Sequence, residues 1–287
     1  MVNVIVGKLS GKSASKGRLI HVAVVDKTNA SMILQCVQEG LRILWKGAPG
    51  TTGRLKLFVT DCAAYMLKAG DHLKAMYPMV VHLTCFSHGL HRVAEAVREE
   101  YPTVNKLISS TKKVFLKAPA RVDLFRTMLP NTPLPPEPII TRWGTWLEAA
   151  QYYAENVSAI RCVFDSLDTN EAQAIRKAKE ALAASELETH LHYISDNFGS
   201  LPSTIQKLQK QGMMFSKGVE EMQTLCDSGW AGTVGDRAKE KLTAVLSRNP
   251  RWKQAQAIAA RLNGEECGDL PEGWTPQDIS CMKGYLE

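Results

Sequence analysis

Residues 57–91 read LFVTDCAAYMLKAGDHLKAMYPMVVHLTCFSHGLH, and their pattern constrains the fold more than any other stretch. Two short apolar runs, each broken by a turn, are separated by a helix-like segment. Strands joined through a helix run parallel, because a tight turn can only reverse the chain. The first run ends at Asp61 and the second at Cys85. The carboxyl ends of parallel strands are where α/β proteins place chemistry, since the strand holds the side chain while the open sheet end admits a ligand.

The flanking sequence extends this pattern. Residues 2–9 and 18–26 are β-branched runs around a Gly-, Ser- and Lys-rich stretch, which predicts a hairpin. Asn29 or Ser31 can cap a helix reaching about Trp45, with Met32, Leu34, Val37, Leu41 and Leu44 at helical spacing. Strands are predicted at residues 55–60 and 80–85, and helices at 62–76, 87–99 and 104–117. The order is β-β-α-β-α-β-α, with all four strands expected in one mixed sheet and Asp61 at its carboxyl edge. Residues 129–138 (LPNTPLPPEP) predict an extended linker, because repeated proline excludes helix and sheet pairing. Helical periodicity returns at 143–167, 170–184, 186–197, 202–227 and 234–246. Residues 264–287 carry no period and predict an irregular tail.

Composition supports a folded intracellular protein. Of 287 residues, 45% are hydrophobic, enough for a substantial core. The net charge of +6 fits a solvated surface and is compatible with nucleic acid without requiring it. Seven cysteines without regular spacing argue against a disulfide framework and for a reducing compartment. No stretch approaches the roughly 18 uninterrupted apolar residues of a membrane span, and the amino-terminal apolar run is too short for a signal peptide. A nuclear or cytoplasmic, non-secreted protein is expected.

Each motif has two readings. Asp61 is either a cap for the helix that follows or a carboxylate ligand for a hard divalent cation. Cys85-x-x-His88 has the spacing of half a zinc site, but no second half occurs. His91 lies one turn beyond His88, so the two are either surface histidines or part of a substrate-facing helix end. Thr141-Arg142-Trp143-Gly144-Thr145-Trp146 follows the prolines. Its tryptophans either pack a core or form a platform that stacks a base while Arg142 meets a phosphate.

Taken in order, V-T-D followed by small residues at 59–64, C-x-x-H followed by an apolar helix at 85–90, and T-R-W at 141–143 resemble the hAT superfamily of transposases and their transposon-derived host relatives. The resemblance spans about residues 1–165. It implies a ribonuclease H-like core with an inserted helical domain, in which three carboxylates hold two Mg²⁺ ions for attack on a DNA phosphodiester. By this resemblance Asp61 is the second carboxylate and a metal ligand, Cys85 belongs to the C-x-x-H motif, and His88 lies near the scissile phosphate. Trp143, beside Arg142, stacks a flipped base.

The first carboxylate of the family would precede residue 2, and the third would stand in a late E-R-x-F-S pattern that is not found here. The zinc-finger module and dimerisation segment of the family also have no counterpart, so an interior fragment is expected. The resulting expectation is an α/β protein. Residues 1–128 form a partial ribonuclease H-like mixed sheet, 129–138 a proline linker, 139–263 a largely helical insertion-like region and 264–287 a tail. The function expected is a catalytically incomplete hAT transposase-like protein, with DNA as a partner and Mg²⁺ only if active. The alternative is a domesticated, non-enzymatic module that binds nucleic acid or protein.

Overall fold

Why the strands stop where they do follows from their local chemistry. The computed structural model describes residues 1–9, 17–46, 48, 51–139, 142, 144–266 and 268–282. It divides into two units. The first comprises residues 1–89, 206–228 and 242–287, and the second comprises 90–205 and 229–241.

In the first unit, β1 (Val2–Val6) and β2 (Arg18–Ala23) form the expected antiparallel hairpin, with a register shift between Val4 and Ile5. Helix α1 (Ala30–Trp45) starts where the sequence indicates, because the Asn29 side chain accepts the Met32 N–H at 2.9 Å. β3 (Leu57–Thr60), α2 (Ala64–Met76) and β4 (Val81–Thr84) form the strand–helix–strand unit, and β3 and β4 are parallel as expected.

Among the described residues the single mixed sheet is not formed. The described strands make two two-stranded sheets, β1–β2 and β3–β4. Side chains rather than backbone tie the pairs together. Val2 of β1 and Phe58 of β3 both pack on the core formed by Ile33, Val37 and Leu41 of α1 with Ala69 and Leu73 of α2. A four-residue strand offers few ladder bonds, whereas its apolar side chains gain fully from burial on the helices.

All four residues of β4 are buried. One reason is Asn249, whose side chain reads the strand as a neighbouring strand would. Its Oδ1 accepts the Thr84 N–H at 3.3 Å, and its Nδ2 donates to the Thr84 carbonyl at 3.4 Å. Helix α12 (Trp252–Asn263) packs beside it, against α10 (Phe215–Cys226).

The tail differs from expectation. Residues 276–281 form α13 (Pro276–Cys281), opened by a capping box between Thr275 and Asp278 with proline in the first turn. Trp274 Nε1 donates to the Met79 carbonyl at 2.7 Å, and Lys56 lies 2.9 Å from Asp278 and over the Trp274 ring. The stretch predicted as one helix over 202–227 is two, α9 (Leu201–Leu208) and α10, separated by a segment in which Gly212 takes a φ of 85°.

The second unit is helical. Helix α3 (Phe86–Glu99) leads into it, followed by α4 (Pro102–Phe115) and α5 (Pro119–Met128), each with proline in its first turn. Then come α6 (Gly144–Asp165), α7 (Gln173–Leu182) and α8 (Leu187–Phe198). No element was expected over 119–128. Phe115 meets Phe125 and Phe164 edge to face inside this unit. Helix α11 (Gly232–Ser247) completes the chain order. The proline stretch is not extended throughout: residues 130–132 form a turn in which the Thr132 N–H donates to the Leu129 carbonyl at 3.2 Å, and 133–138 have no regular element. It is fastened to this unit, where Tyr152 donates its hydroxyl proton to the Pro133 carbonyl at 2.6 Å and Lys112 pairs with Glu137.

Candidate functional site

The register of the parallel pair brings the two singled-out strand ends together. Thr60 stands opposite Thr84, so Asp61 and Cys85 are the first residues to leave the pair, side by side. The Cys85 N–H donates to the Thr60 carbonyl at 2.7 Å, which extends the ladder by one bond beyond the strands. Asp61 then turns the chain towards α2. Its Oδ1 accepts the Ala63 N–H at 3.0 Å, a local side-chain turn placed before the helix rather than a cap on it. The cap position of α2 is Ala63, which has no side-chain bond, so the capping reading of Asp61 is corrected to this turn.

Thr60 and His82 buttress these ends. The Thr60 hydroxyl donates to the Asp61 carbonyl at 2.7 Å and lies 2.9 Å from His82 Nε2. A hydroxyl has one proton, so Nε2 must be the donor towards Thr60, and Nδ1 carries a lone pair. Nδ1 is buried without a partner, and a Cβ added to Gly70 would fall 2.0 Å from it. Gly70 is therefore the residue that admits the ring. Burial lowers the His82 pKa to about 4, with Asp71 opposing the shift and Arg251 adding to it, so the ring is neutral near pH 7.

Cys85 occupies the position before α3, and its carbonyl accepts the first helical bond, from the Gly89 N–H at 3.1 Å. Its sulfur lies 3.2 Å from the Ser87 hydroxyl. Burial raises the Cys85 pKa, but the bonds from His88 and Ser87 and the His88 charge more than offset it, and the thiol is more acidic than an ordinary cysteine. The bond to Cys85 raises the His88 pKa. Burial opposes that shift, while the charges of Cys85 and Asp61 reinforce it. Cys85 is half-buried and His88 is exposed, so the pair can be reached from solvent.

Asp61 and Cys85 are thus brought together in the first unit, with His88 in the first turn of α3. His91 is not part of that group. It is buried, and its Nδ1 accepts the Gly144 N–H at 3.3 Å within the second unit, so the shared helix face expected from the i, i+3 spacing is replaced by a packed core histidine. Arg142 belongs to the second unit and is exposed, with its carbonyl accepting the Thr145 hydroxyl at 2.8 Å. Trp143 lies outside the described residues, as does Thr141. Trp146 is fully buried, which settles it as core.

Sequence reading missed Ser87, although it stands inside the C-x-x-H motif, and missed Asn249, which reaches β4 across 165 residues. Only the Asn-Pro turn signal at 249–250 marks the latter.

The implied Mg²⁺ site fails on ligand supply. Among the described residues no three His, Cys, Asp or Glu side chains are grouped to hold a metal, and Asp61 already has one oxygen engaged in its turn. The half-zinc reading of Cys85 and His88 lacks a second half for the same reason, since no further ligand is grouped with them among the described residues. No protein-family model matches this chain, and no curated protein matches it either.

Proposed function

We propose that this chain is a hAT transposase-like protein of DNA-transposon origin that has kept a reduced ribonuclease H-like region and lost phosphodiester chemistry. The observation that carries the reading is the adjacency of Asp61 and the C-x-x-H motif. Thr60 pairs with Thr84, so Asp61 and Cys85, the first residue of that motif, leave the β3–β4 pair side by side. The order of the T-D, C-x-x-H and T-R-W motifs along the chain supports it further. Its partner is then DNA, met through Arg142 and Trp143, and its place is the nucleus. No helix among the described residues is long and apolar enough to cross a membrane.

Loss of chemistry follows from ligand supply. In-line displacement by two metals needs several carboxylates, and Asp61 has no such companions among the described residues. The purified chain, incubated with a branched or hairpin DNA and Mg²⁺ or Mn²⁺, is expected neither to nick nor to join strands. Metal-dependent cleavage that Asp61→Ala abolishes would overturn this. The same DNA, fluorescently labelled, is expected to bind with a steep salt dependence, because phosphate contacts release counterions. Trp143→Ala is expected to weaken binding about five- to a hundred-fold if the ring stacks a base. Salt-independent binding, or none, would leave a protein partner as the better reading.

A further inference from the structure

The β1–β2 hairpin packs one face on α1 and leaves the other bare. Val4, Ile20 and His21 form the packed face, where a Cβ added to Gly40 of α1 would meet them at 3.1, 3.1 and 3.3 Å. Side chains alternate along a strand, so Asn3 and Ile5 point the other way, with Val22 and Leu19 opposite them in register. Leu19 and Val22 are three residues apart and would sit on opposite faces of a regular strand. The register shift beside Val4 and Ile5 brings both to the outer face. There Ile5 is 64% exposed, Leu19 58% and Val22 46%. Met1 and Val24, one residue beyond each strand, are exposed as well. An apolar sheet face is a surface against which another element packs.

Charge selects the occupant. Residues 1–27 hold four lysines and one arginine against a single acidic residue, Asp26. Lys8, Arg18 and Lys27 are exposed around the hairpin. A second copy of the chain would bring these like charges together, which opposes self-pairing. The outer face carries no aromatic ring on which a base could stack, so single-stranded nucleic acid has no platform there. A lipid surface would meet a sheet of only two strands, whose open backbone edges hydrocarbon cannot satisfy. A helix roughly 10 Å across matches two strands about 4.8 Å apart and brings its own satisfied backbone.

We propose that the outer face of the β1–β2 hairpin docks an amphipathic helix of an acidic partner protein. The apolar stripe of that helix rests on Ile5, Leu19 and Val22, and carboxylates along its flanks meet Arg18 and its basic neighbours. The inference goes beyond the proposed function and does not depend on a transposon origin.

The test uses the full chain and two fluorescein-labelled amphipathic helical peptides of roughly 18 residues, alike in their leucine stripe and flanked by Glu in one and Lys in the other. Anisotropy is expected to show the Glu-flanked peptide binding at least about ten-fold more tightly, by a margin that shrinks between about 50 and 500 mM salt. Leu19→Asp is expected to weaken that binding at least about ten-fold, whereas Leu116→Asp, at an exposed leucine of the other unit, is expected to leave it unchanged. Equal binding of the two peptides, binding of neither, or equal losses in the two variants would overturn the proposal. So would sedimentation showing a dimer that Leu19→Asp dissolves, which would make the occupant a second copy. Retention on phosphatidylserine vesicles, or of a labelled oligonucleotide, that Leu19→Asp abolishes would overturn it in favour of lipid or nucleic acid. Should Leu19→Asp lower the melting midpoint, Arg18→Glu decides, since the preference for the Glu-flanked peptide is expected to fall and an unchanged preference overturns the proposal. Arg142 and Trp143 lie outside the hairpin, so this reading and the DNA reading fail separately.

Discussion

His82 shows how much of this site depends on one ring. Its pKa is lowered to about 4 in the folded chain, below the roughly 6.5 of an unfolded histidine. Between those values the unfolded state binds more protons, so stability is complete near neutrality and falls as the pH drops from about 6.5 to 4. The loss is of order 3 kcal/mol over that window. Denaturant midpoints measured at pH 7, 5.5 and 4 should fall accordingly, and the fall should be shallower in His82→Leu. An equally steep fall in that variant would show that another group is responsible. Gly70→Ala is expected to cost about 2–3 kcal/mol, because its Cβ would overlap the His82 ring and neither the helix nor the strand can move freely. Asn249→Ala removes both partners of the Thr84 backbone and is expected to cost about 1–3 kcal/mol in the same measurement.

At the scale of elements, the sequence was informative wherever a local signal decided the outcome. Asn29 marked the start of α1, and the 57–91 alternation marked a parallel pair with Asp61 and Cys85 at its end. What local signals do not carry is which strands share a ladder, so two sheets stand where one was expected. The same limit hid His91, because periodicity placed it beside His88 while burial in the second unit is a long-range property. The tail was a different kind of miss. The T-P-Q-D at 275–278 is a legible helix start, outweighed by the Gly, Pro and Trp around it. Asp278 serves both the capping box and Lys56, so Asp278→Ala is expected to cost about 1–2 kcal/mol. It should also raise the proteolytic sensitivity of residues 264–282 and shift the Trp274 fluorescence to the red. An unchanged digestion pattern would show that Trp274 alone holds the tail.

For the whole molecule, the first unit is drawn from three stretches of chain and the second interrupts it twice. The Asn249 side chain that closes β4 lies 165 residues downstream of Thr84. Synthesis at about 5–20 residues per second puts roughly 10–30 s between the emergence of the strand and that of its cover. During that interval β4 has an open edge beside β3, while the helices of the second unit are free to fold from mostly nearby contacts. A nascent chain stopped before residue 249 should therefore depend on a holdase to stay soluble, and release past that residue should end the dependence.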